Sequence, residues 1–61
     1  KKMKVCIDEL AKRKAVIVED GAVTFDPRYM RLGQFYLVEL KNQPYLYHKV
    51  SEHEVEVYGL P

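Results

Sequence analysis

A chain of 61 residues has room for a single domain, spanning 1–61, whose own core contributes only about 3–5 kcal/mol net, so help from a partner is expected. One cysteine excludes an internal disulfide and points to a reducing, intracellular compartment, cytoplasmic or nuclear. Apolar runs no longer than Ala15–Val18 and Phe35–Val38 exclude a membrane-spanning helix, which needs about 18 residues, and the formal net charge of +1 leaves no overall pull toward polyanions.

The first segment, Lys2 to Lys14, reads as a helix. Met3, Cys6, Ile7, Leu10 and Ala11 recur at helical spacing, and Asp8–Lys12 and Glu9–Arg13 are acid-before-base pairs four apart. A rival reading stands beside it. Met3, Val5 and Ile7 also alternate, which makes Met3–Ile7 a strand and leaves Asp8 to cap a short helix from Glu9 to Lys14. Next, Val16-Ile17-Val18-Glu19 and Ala22-Val23-Thr24-Phe25 flank Asp20-Gly21, a pair that accepts the positive φ angles of a type I′ turn. A two-residue loop sets Val18 against Val23 and Val16 against Phe25. Asp26-Pro27 then opens a short helical connector and Gly33 closes it.

The remainder reads as a meander: Phe35–Leu40, a turn at Lys41-Asn42-Gln43-Pro44, Tyr45–Val50, a turn at Ser51–His53, and Val55–Tyr58. With Leu40 facing Tyr45 and Val50 facing Val55, one sheet face carries Phe35, Leu37, Leu46, Val50 and Val57. The other collects Tyr36, Val38, Leu40, Tyr45, Tyr47 and Tyr58, with Lys49 opposite Glu56. The expected fold is α+β, an N-terminal helix packed on a small antiparallel sheet of hairpin plus three-stranded meander. Its alternative is closure into a small SH3-like barrel. The expected core is Leu10, Val16, Val18, Val23, Phe25, Phe35, Leu37, Leu46, Val55 and Val57.

Both sheet faces are apolar, and a single narrow helix covers only one. The tyrosine face therefore points to an interface, because a tyrosine ring buries area while its hydroxyl stays wet. The reading is a small non-catalytic module for protein association, chiefly self-association, through Tyr36, Val38, Leu40, Tyr45, Tyr47 and Tyr58. The alternative is a nucleic-acid-binding module, in which Lys12, Arg13, Lys14, Arg28, Arg31 and Lys49 hold phosphates while tyrosines stack on bases.

Other chemistry lacks its residues. His48 and His53 have no metal-ligand spacing, the three glycines form no phosphate loop, and Cys6 lies on the apolar helix stripe where a thiol is inert. No enzyme activity, cofactor, metal or membrane partner is expected. One motif adds a partner class: Gly21-x-Val23-Thr24-Phe25-x-Pro27, followed by Arg31-Leu32-Gly33 and a strand, is similar to the strand–turn–strand rhythm of swapped-hairpin bacterial transcription regulators. That resemblance implies a DNA-binding dimer, but Glu19 and Asp20 stand where the rhythm carries basic residues.

Overall fold

The structure, a computed structural model, describes residues 2–17 and 23–60. Strands β1 (Lys2–Cys6), β2 (Val16–Ile17), β3 (Val23–Thr24), β4 (Phe35–Leu40), β5 (Gln43–Lys49) and β6 (Glu54–Gly59) form one antiparallel sheet in the order β1-β6-β5-β4-β2-β3. A short helix, α1 (Ile7–Ala11), follows β1, and a 3-10 turn spans Pro27–Tyr29.

The expected N-terminal helix is corrected to a strand and little more than one helical turn. A thirteen-residue helix is marginal on its own in water. As a strand, the same residues find a matching partner: Met3 and Val5 oppose Val57 and Val55, Lys4 opposes Glu56, and Lys2 Nζ reaches Glu56 Oε2 at 3.5 Å. The chain turns helical only at Ile7, whose N–H donates to His53 O at 2.8 Å. Ile7 and Leu10 are the buried residues of α1. The alternative of a closed SH3-like barrel is corrected as well. β1 and β3 are the two edges of an open sheet, and no pairing joins them among the described residues.

Between α1 and β4 the chain follows its local chemistry in part. The Asp20-Gly21 turn and Val18 lie outside the described residues. The flanking register, Val16↔Thr24 and Ile17↔Val23, is one step away from the expected Val16–Phe25 pairing. That step groups Ile17 with Phe25, whose N–H donates to Ala15 O at 2.9 Å, on the face carrying the core. It turns Val16 to the other face, since side chains alternate along a strand. Asp26 caps the 3-10 turn by accepting the Arg28 N–H at 3.0 Å, Pro27 occupies the first helical position, and Gly33 takes φ +84°.

The meander forms with tighter turns than expected. Lys41 (φ 52°) and Asn42 (φ 64°) make a two-residue turn of I′ character, so Leu40 pairs with Gln43, and Tyr45 opposes Val38. At the next turn, Ser51 Oγ accepts the Glu54 N–H at 3.1 Å and Val50 N–H donates to Glu54 O at 3.1 Å. This closure sets Lys49, not Val50, opposite Val55. Because the side-chain period is two, that single step moves Val55 and Val57 onto the tyrosine face and Tyr58 off it.

The core consequently lies on the face expected to be an interface. Ile7, Leu10, Ala15, Met30, Val38, Tyr47 and Val55 are buried together, with Val5, Ile17, Phe25, Tyr36, Leu40, Tyr45 and Val57 packed against them. The Phe25 ring sits 5.4 Å from that of Tyr36 and 6.1 Å from that of Tyr47, within the range of favourable aromatic pairs. Of the expected core residues, Val23, Phe35 and Leu37 are instead exposed.

Candidate functional site

Among the described residues, strand alternation builds two open surfaces that bear on function. The first is the outer sheet face, opposite the core. On β4 it presents Phe35 and Leu37, 56% and 61% exposed. On β5 it presents His48 and Leu46, the direct partners of Phe35 and Leu37. On β6 it presents Glu56 and Tyr58, opposite His48 and Leu46, and on β1 it presents Lys4 and Lys2. The face thus grades from apolar at β4 to charged at β1.

Its polar half is internally wired. The imidazole of His48 stacks on the Phe35 ring at 4.0 Å with an 8° interplanar angle. Its Nδ1 is buried without a hydrogen-bond partner, 3.6 Å from Glu56 Oε1. Tyr58 Oη donates to that same Oε1 at 2.8 Å, and Lys2 reaches the other carboxylate oxygen. The Tyr58 hydroxyl, and then Lys2, hold the Glu56 carboxyl below its ordinary range, while Glu56 pushes the Tyr58 phenol up.

The second surface is a cleft of about 380 Å³ on the core side, where α1 ends before it has covered the whole sheet. Met3 and Val5 from β1, Val57 from β6, and Leu40 and Tyr45 near the β4–β5 turn form its apolar walls, and Arg13 stands beside them. Arg13 Nη1 donates to Glu9 O at 3.4 Å, and among the described residues no carboxylate pairs with it.

The residues expected to form one tyrosine interface are therefore divided. Val38 and Tyr47 are each 1% exposed and present no surface; burial pushes the Tyr47 phenol up. Tyr36 is half-buried, with its hydroxyl oxygen accepting the Arg31 N–H at 3.0 Å. Leu40 and Tyr45 line the cleft, and Tyr58 lies on the outer face. Val38, Tyr47 and Tyr36 are covered by residues of α1, Met30 and Phe25, whereas Tyr58 left the face through the one-residue step at the last turn.

Several of the cations expected to hold phosphates are engaged within the chain. Arg28 forms a two-point pair with Asp26, at 3.1 and 3.0 Å, that holds the aspartate carboxyl below its usual range. Lys49, expected opposite Glu56, instead donates to Met30 O at 3.0 Å, and Lys12 lies 3.4 Å from Glu9. Lys14 and Arg31 are exposed, and Arg13 stands at the cleft. Cys6, expected on a buried helix stripe, is exposed at the end of β1. Among the described residues, no three His, Cys, Asp or Glu side chains come together as a metal site, and no helix is long and apolar enough to cross a membrane.

Sequence reasoning passed over two features that the structure brings forward. The Phe35–His48–Glu56–Tyr58 array was hidden by the register of the last hairpin. The strand reading of Met3–Ile7, the rival to a helix, is close to the observed β1, but its place at the edge of the sheet beside β6 was not legible from local alternation. No protein-family model, curated protein or solved structure matches the chain.

Proposed function

We propose that this chain is a small non-catalytic module whose work is protein association, chiefly self-association, and that it uses the outer face of the sheet. The observation carrying the proposal is the contiguous apolar strip of Phe35 and Leu37 on β4, both more than half exposed, with the half-buried Leu46 beside them on β5. Chains of this size rarely leave such a strip bare, and covering it would supply stability that a small core lacks. The neighbouring His48–Glu56–Tyr58 array gives the strip a polar border, the usual composition of an interface rim.

The test is sedimentation velocity over a concentration series. Wild type should pass from monomer to dimer, whereas Leu37→Lys should stay monomeric with an unchanged circular dichroism spectrum. A wild type that stays monomeric at millimolar concentration would remove the proposal.

A further inference from the structure

The free edge of β1 is the second place where this fold can receive a partner. We infer that β1 accepts an extended peptide strand in which acidic and apolar residues alternate, the apolar ones entering the cleft and the acidic ones facing Lys2 and Lys4. Three observations carry the inference.

The first concerns the backbone. β1 ends the sheet, and no described residue pairs with its outer side. Ile7 N–H donates inward to His53 O. In an antiparallel ladder the hydrogen-bonded direction alternates, so Val5 and Met3 also bond toward β6, while Lys2 and Lys4 turn their N–H and C=O groups outward and Cys6, whose carbonyl caps α1, turns out its N–H alone. An added strand would find a row of unpaired donors and acceptors at the spacing it needs.

The second is the side-chain code. Outward-facing lysines alternate with Met3 and Val5, which are walls of the 380 Å³ cleft. A strand laid beside β1 would therefore send every second side chain over apolar surface and the others beside ammonium groups. Lys4 has no carboxylate within 4 Å among the described residues, and Arg13 adds a further cation at the cleft.

The third is an internal template. On its paired side, β1 already takes this pattern: β6 reads Glu54-Val55-Glu56-Val57-Tyr58, with Glu56 opposite Lys4 and the two valines opposite Val5 and Met3. The free side offers the same side chains to a second strand of the same kind. A second copy of β1 does not fit. Antiparallel pairing of two such edges would oppose lysine to lysine, which is destabilising across strands.

The probe is a fluorophore-labelled, capped peptide Glu-Val-Glu-Leu-Glu-Val, titrated with the full chain and followed by fluorescence anisotropy. The expected result is saturable binding. A peptide of the same composition with its acidic and apolar residues in separate blocks should bind at least tenfold more weakly, and so should one N-methylated at alternate amides on its pairing edge. Lys4→Gln should weaken binding several-fold, whereas Leu37→Lys should leave it unchanged, which separates this site from the outer face. Equal binding of the blocked and alternating peptides would overturn the inference. Absence of binding would also overturn it, leaving the edge lysines only as a guard against strand pairing between copies.

Discussion

Leu37 and Val38 are consecutive aliphatic residues on β4, and the fold assigns them opposite energetic roles. Val38 is 1% exposed and Leu37 61%. Val38→Ala deletes two buried carbons, worth about 0.8 kcal/mol each, and leaves a void that adds up to about 1 kcal/mol, for a total of about 2–2.5 kcal/mol. In a chain this short, that loss lowers Tm by roughly 15–20 °C. Leu37→Ala deletes three carbons, but most of that side chain is already in water. Scaling a full leucine burial of about 1.5–3 kcal/mol by the buried share gives a loss of no more than about 1 kcal/mol. Urea unfolding followed by far-ultraviolet circular dichroism measures both, at a concentration low enough that association does not contribute. The larger deletion should have the smaller effect. If Leu37→Ala instead lowered stability by about 2–5 kcal/mol, as a buried leucine does, and Val38→Ala by little, the two faces of the sheet would be assigned the wrong way round.

Two further outcomes follow from single positions. Gly33 sits at φ +84° with open space where a Cβ would be, so Gly33→Ala should destabilise by backbone strain alone, about 1–2 kcal/mol, read as a shift of the urea midpoint. No shift would mean that the left-handed conformation is not required there. Glu56 is held below its ordinary value of 4.5, first by the Tyr58 hydroxyl and then by Lys2, so its contribution is fully present above the unfolded value and is lost as pH falls below it toward the folded value. Urea midpoints should therefore fall through that acid range in wild type and fall less in Glu56→Gln. Equal acid slopes would remove Glu56 from the account.

The sequence by itself determined the features that local chemistry controls. Asp26-Pro27 opens the 3-10 turn and Gly33 takes the left-handed conformation, because a cap, a fixed φ and a missing Cβ act within a few residues. The segments Phe35–Leu40, Tyr45–Val50 and Val55–Tyr58 were likewise legible as strands from their alternation and β-rich composition, and the observed strands are Phe35–Leu40, Gln43–Lys49 and Glu54–Gly59. Which face would be buried was not legible, since Phe35/Leu37/Leu46 and Tyr36/Val38/Tyr45/Tyr47 are both apolar sets. Only the placement of α1, the 3-10 turn and Phe25 over the tyrosine set decided between them. The fate of Lys2–Cys6 was also tertiary: its spacing suits helix and strand alike, and pairing with β6, distant in sequence, selected the strand. Tyr58 changed faces because Ser51 and Val50 close the last turn one residue earlier than its sequence suggests, and with a period of two, one residue is enough to reverse a surface.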